Sequence, residues 1–205
     1  MPLAQRPDVT LTPAAVLKEW LPQRFAEVGH ALPPDCPKLR VTIRGALPPA
    51  DVMLVASERK LEVQDASSSS DPDIWIRLSA EDFHSLLHGD SDLPVLVPPE
   101  RDLIDLIVVD MGDFDRFAQM SGRIAIEILG GKRRRFCVDI AFGAAGFAAG
   151  RAKSTVSIDG PALQAVLEGS KPPLAALLEG RIKLQGDRAL AMQAMMLMAT
   201  RTTRR

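Results

Sequence analysis

The sequence lacks several features that would assign it to common classes of protein. It has no tyrosine, only 4% aromatic residues, and two cysteines. Cys36 and Cys137 form no CxxC motif, which argues against a disulfide framework or a zinc site. No apolar run approaches the roughly 20 residues that cross a bilayer. The first residues also lack the apolar core of a signal peptide, so we expect a cytoplasmic protein.

Positive and negative charges are almost balanced in this sequence. The net charge of the 205 residues is −1, which argues against a dedicated nucleic-acid-binding protein. Apolar residues make up 46% and charged residues 25%, both ordinary for a globular protein with a buried core. The length allows one large domain or two small ones.

The chain offers few candidates for catalysis or metal binding. His84 and His88 lie four residues apart on a predicted helix, but no glutamate separates them as in an HExxH motif. Cys137 has no histidine neighbour that would activate it as a nucleophile. The glycines near residues 130 and 143 do not follow phosphate-binding spacings. We therefore expect no catalytic residues, no metal and no cofactor, and a protein that is not an enzyme.

Apolar periodicity predicts an α+β protein. Leu39, Val41 and Ile43 alternate with polar residues, as in a half-buried strand. Thr12 followed by Pro13 predicts a helix start, and Ser79 predicts another. The predicted helices are Pro13–Val28, Ala80–His88, Asp113–Met120 and one that begins after Asp159. The predicted strands are Leu39–Ile43, Val52–Val55, Lys60–Gln64, Asp73–Leu78, Arg123–Leu129, Phe136–Phe142 and Val156–Ile158, with a Gly/Ala loop at Gly143–Gly150.

The two halves of the chain have a similar pattern. Residues 78–89 align with residues 158–169, including the helix cap and the closing glycine. Identity is weak, so either a duplication or coincidence explains the match. A duplication predicts two α+β domains, residues 1–112 and residues 113–205, with the first the more divergent.

The C-terminal half resembles the sterol carrier protein type 2 family. The resemblance rests on Leu167-Glu168-Gly169, on the segment Gly180-Arg181-Ile182-Lys183-Leu184-Gln185-Gly186-Asp187, and on the apolar helix that follows. It implies a mainly antiparallel sheet covered by helices. It also implies an apolar tunnel between them that accepts fatty acyl chains, sterols or other lipids.

The resemblance predicts non-enzymatic binding or transfer of a fatty acyl, sterol-like or isoprenoid lipid. A wall of methionine and aliphatic side chains adapts well to a flexible apolar guest. The expected ligand contacts are apolar residues of the second half: Phe136, Val138, Ile140, Phe142, Leu163, Leu167, Leu174, Leu178, Met192, Met195 and Met196.

Two questions about partners stay open in the sequence. The basic run Lys132, Arg133, Arg134, Arg135 is typical of a solvated turn, but it also suits peripheral contact with anionic lipid. As an alternative to lipid binding, the apolar C-terminal surface would also suit a structural or dimerisation module that serves an enzyme on another chain. In that alternative the protein forms a homodimer or is covered by its partner.

Overall fold

The described part of the chain folds around one eight-stranded sheet. The structure, a computed structural model, describes residues 5–28, 36–57, 60–68, 71–89, 104, 120–130, 135–147 and 153–203. The strand order is β3-β2-β1-β4-β6-β5-β7-β8. The strands are Leu39–Arg44 (β1), Ala50–Ser57 (β2), Lys60–Asp65 (β3), Ile74–Ser79 (β4), Gly122–Leu129 (β5), Arg135–Phe142 (β6), Lys153–Asp159 (β7) and Ile182–Gln185 (β8).

Most strand pairs in this sheet are antiparallel. Among the described strands, only β1 with β4 and β5 with β7 run parallel. The two halves of the chain meet where β4 pairs antiparallel with β6, with Ile74 opposite Phe142 and Leu78 opposite Val138. The sheet is therefore continuous from one half to the other. The predicted class, an α+β protein with a mainly antiparallel sheet, is confirmed.

Helices cover the apolar face of the sheet. Leu39, Val41 and Ile43 of β1 are buried on that face, as their alternation predicts. One buried core includes residues of both halves. The helices are Pro13–Ala15 (α1), Leu21–Val28 (α2), Ala80–His88 (α3), Gly143–Phe147 (α4), Gly160–Leu167 (α5), Pro173–Leu178 (α6) and Arg188–Thr203 (α7). In the described part of the chain, no helix is long and apolar enough to span a membrane.

The first helical segment, residues 13–28, has a wide turn in its middle. Thr12 caps its start by accepting a hydrogen bond from the Ala15 amide at 3.2 Å, as the sequence predicts. Residues Val16–Trp20 are π-helical, and the Leu21 amide donates to the Val16 carbonyl five residues earlier. A π turn brings residues i and i+5 to the same side of the helix. Val16 and Leu21 consequently both face the sheet.

Two of the elements predicted from the sequence either differ in the structure or lie outside its described residues. The Gly/Ala segment Gly143–Gly150 was expected to be a loop, but Gly143–Phe147 forms α4. The expectation was wrong because glycine here allows close packing: a Cβ on Gly146 would collide with the Gly122 carbonyl of β5. The helix predicted at Asp113–Met120 lies outside the described residues except at its end.

Candidate functional site

An apolar cavity of about 270 Å³ lies between the sheet and the helices of the N-terminal half. Its floor comes from β1, β2, β4 and β6, and its roof comes from residues 13–28 and α3. The lining residues are Val16, Leu17, Leu21, Leu39, Val41, Leu54, Ile76, Leu78, Phe83, Leu86, Leu87, Phe136 and Val138.

The wall of this cavity consists only of valine, leucine, isoleucine and phenylalanine side chains. Ile76 and Val138 are half-buried although they lie at the centre of the sheet, because their side chains border the open space. No side chain in the lining can donate or accept a hydrogen bond or carry charge. A polar ligand group would lose its hydration there without compensation, so the cavity suits hydrocarbon.

Local sequence explains why both sides of the cavity are apolar. The floor follows from period-two alternation in the strands, with Val41 of β1 directly opposite Ile76 of β4. In the roof, Phe83, Leu86 and Leu87 of α3 are spaced at i, i+3 and i+4, which places them on one side of the helix. Ser79 starts that helix by accepting a hydrogen bond from the Asp82 amide at 3.0 Å.

The structure brings only two of the predicted ligand contacts to this cavity. Phe136 and Val138 line it from β6. Phe142 and Met195 are buried in the core, while Ile140, Leu163, Leu167 and Met192 are half-buried. Leu174, Leu178 and Met196 are 56%, 81% and 57% exposed to solvent. The predicted ligand contacts thus include cavity-lining residues of β6, but none of those from β1, β4 or α3.

In the C-terminal half, α7 packs on the sheet. This helix contacts β5, β7 and β8. Leu190, Ala194 and Met195 are buried. Leu190 packs so closely on β5 that a Cβ on Gly122 would lie 2.5 Å from its Cδ2 atom. The predicted helix, apolar on all sides, is therefore core along one side and exposed at Met196.

The other face of the sheet carries a polar network around Trp75. The Arg40 guanidinium binds the Asp51 carboxylate through two hydrogen bonds of 3.0 and 2.7 Å. Thr42 donates to Asp51 and accepts from the Trp75 indole at 2.8 Å. The guanidinium groups of Arg40 and Arg77 lie 4.3 and 4.5 Å from the Trp75 ring. Hydrogen bonding by Arg40, opposed by partial burial, lowers the pKa of Asp51.

This polar network was missed by sequence reasoning. Arg40 and Thr42 of β1 and Trp75 of β4 lie on the polar side of their strands. The apolar side of these strands was predicted correctly from the sequence. The only signal was a tryptophan on an otherwise hydrophilic side. The network orders the face opposite the cavity, because the half-buried polar groups of Arg40, Thr42, Asp51 and Trp75 bind one another.

Side chains suited to metal binding do not converge in the described residues. No group of three or more His, Cys, Asp or Glu side chains is close enough there to hold a metal ion. The centroids of the His84 and His88 rings lie 4.7 Å apart on α3, and the ring planes are tilted by 49°. Lys132, Arg133 and Arg134 of the basic run lie outside the described residues.

Comparison with known proteins places a family in the second half of the chain. Residues 109–199 match the model of the SCP-2 sterol transfer family. No curated protein matches the chain. Among solved structures, the solution structure of the sterol carrier protein domain 2 of Helicoverpa armigera matches with 17% identity and a TM-score of 0.33. That match covers 45% of this chain and 77% of the other.

A second structure has similar values. The apo form of Sterol Carrier Protein 2 from Yarrowia lipolytica is 14% identical with a TM-score of 0.31, and the match covers 43% of this chain and 77% of that one. The resemblance predicted from sequence is confirmed for the C-terminal half, where residues 109–199 match the SCP-2 sterol transfer family.

Proposed function

We propose that the protein binds and carries an apolar ligand with a hydrocarbon chain, of the fatty acyl, isoprenoid or sterol-like type. The observation that carries the proposal is the cavity, whose lining is entirely aliphatic and aromatic. The name of the matched family refers to sterol transfer, and two of the residues that line the cavity, Phe136 and Val138, lie within the matched residues 109–199. Such a site recognises its ligand through shape and the burial of apolar surface.

The size of the cavity favours a chain over a bulky ring system. At about 30 Å³ per water-sized group, 270 Å³ holds about nine such groups. Burying that many methylenes contributes about 7 kcal/mol before the costs of association. We therefore expect a dissociation constant in the micromolar range or weaker for a simple alkyl chain.

The proposed activity is non-enzymatic. None of the lining side chains can transfer a proton, attack a carbonyl or hold a metal. A ligand in this cavity would be sheltered from water and released unchanged. The proposed setting is the cytoplasm, where a carrier keeps an apolar chain out of water between membranes or enzymes.

Uptake of a fluorescent fatty acid tests this function. We expect saturable binding at one ligand per chain, with emission rising as the probe enters an apolar environment. Unlabelled palmitate should displace the probe, whereas a short polar carboxylate such as acetate should not. Absence of uptake, together with a stoichiometric dimer, would instead support the structural or dimerisation module, with Leu174, Leu178 and Met196 as its exposed surface.

A further inference from the structure

The two halves of the sheet have the same topology. In the first half β1 and β2 form an antiparallel pair, and β4 lies parallel beside β1 and leads directly into α3. In the second half β5 and β6 form the antiparallel pair, and β7 lies parallel beside β5 and leads into α5. A parallel neighbour reached through a crossover is a specific arrangement, so its recurrence is informative.

The pairing register agrees with this equivalence residue by residue. Arg44 pairs with Ser79 where β4 ends, and Leu129 pairs with Asp159 where β7 ends. Ser79 and Asp159, 80 positions apart in the sequence, both have extended backbones. Each caps the following helix by accepting from the amide three residues later. The sequence alignment of residues 78–89 with 158–169 thus coincides with equivalent positions in the fold.

At the junction of the two halves, each half pairs with a strand of the other. β6 lies antiparallel beside β4, with Val138 opposite Leu78. In the second half β8 occupies this place beside β7, with Ile182 opposite Ile158. The strands β3-β2-β1-β4-β6 and the strands β4-β6-β5-β7-β8 therefore have the same order and directions. The eight-stranded sheet consists of two five-stranded units that overlap by two strands.

The equivalence shows which positions correspond to the cavity wall. Ile76, Phe83 and Leu86 of the first unit correspond to Val156, Leu163 and Val166 of the second. Ile76 is half-buried at the border of open space, whereas Val156 is only 2% exposed. Among the described residues, α7 lies on β5, β7 and β8 in the second unit, the strands that correspond to β1, β4 and β6 of the cavity floor.

From these observations we infer that the chain is a duplicated unit in which only the N-terminal copy holds the ligand. The site lies outside the residues that match the family, except for the wall that β6 contributes through Phe136 and Val138. The C-terminal copy is closed by α7 and serves to complete and support the binding copy. This inference rests on the proposed function and gives that function its location.

Photo-crosslinking of the whole protein tests the location. The probe is palmitic acid with a diazirine on its chain, and the labelled peptides are identified by mass spectrometry after digestion. We expect labels in residues 13–28, in α3 and in β1, β2, β4 or β6, at one probe per chain. Excess unlabelled palmitate should remove these labels.

The other outcomes separate the inference from the function. Competed labels confined to residues 160–203 would overturn the inference and leave lipid binding intact. Competed labels at both places with two probes per chain would also overturn it. If palmitate competes with no label anywhere, the proposed function fails and the inference fails with it.

Discussion

Replacing Ile76 with tryptophan is expected to abolish uptake of the fluorescent fatty acid without unfolding the protein. Ile76 lies at the centre of the cavity floor, and its side chain borders the open space. The larger indole would occupy room that the ligand needs. Loss of only about 1.4 kcal/mol of ligand burial weakens binding tenfold, so we expect at least about a tenfold loss in affinity.

Matched variants distinguish cavity filling from general damage. Ile76→Leu conserves volume and should bind nearly as the native protein does. Leu178→Trp introduces the same indole at a side chain that is 81% exposed and outside the cavity lining, and should also leave binding unchanged. Val138→Trp fills the cavity from β6 and should reproduce the effect of Ile76→Trp. Full binding by both cavity variants, with melting temperatures near that of the native protein, would contradict the site.

Replacing Phe25 with alanine is expected to cause the largest loss of stability, about 3–5 kcal/mol. Phe25 is 0% exposed in α2, which packs on β3. Its removal leaves a void between the first helical segment and the sheet. For a chain of this size the melting temperature should fall by roughly 10 °C. Thermal unfolding followed by circular dichroism measures the change.

An exposed leucine provides the control for this prediction. Leu47 is 84% exposed, so Leu47→Ala should change the free energy of unfolding by less than about 0.5 kcal/mol. Equal effects of the two substitutions would mean that α2 does not pack on the sheet as the structure shows.

The sequence predicted the local elements well because their signals are local. Alternation placed Leu39, Val41 and Ile43 on the buried face of β1, and the same reasoning held for β5 and β6. The caps at Ser79 and Asp159 marked the starts of α3 and α5 correctly. Each of these features depends on a few neighbouring residues.

Long-range features could not be predicted in the same way. The pairing of β4 with β6 joins Leu78 to Val138, and nothing in either strand specifies the partner. This pairing decides that Phe136 and Val138 face a cavity built mainly by the first half. The π turn at Val16–Trp20, which turns Leu21 toward the same cavity, likewise has no sequence signature that was recognised.

The exposed leucines show a further limit of pattern reasoning. Leu174 and Leu178 lie four residues apart, as expected for one apolar side of a short helix. In the structure Ala176 is the buried residue of α6, and the two leucines face solvent. The buried side of a six-residue helix is set by its neighbours, and small alanine allows the closest approach.

The central claim is that this protein encloses a hydrocarbon chain, and native mass spectrometry of protein purified without detergent tests it most directly. We expect the protein, once incubated with palmitate, to gain the mass of one ligand per chain, which organic extraction then releases as unchanged palmitate. Protein that is empty after purification and still gains no mass when incubated with palmitate would contradict the account.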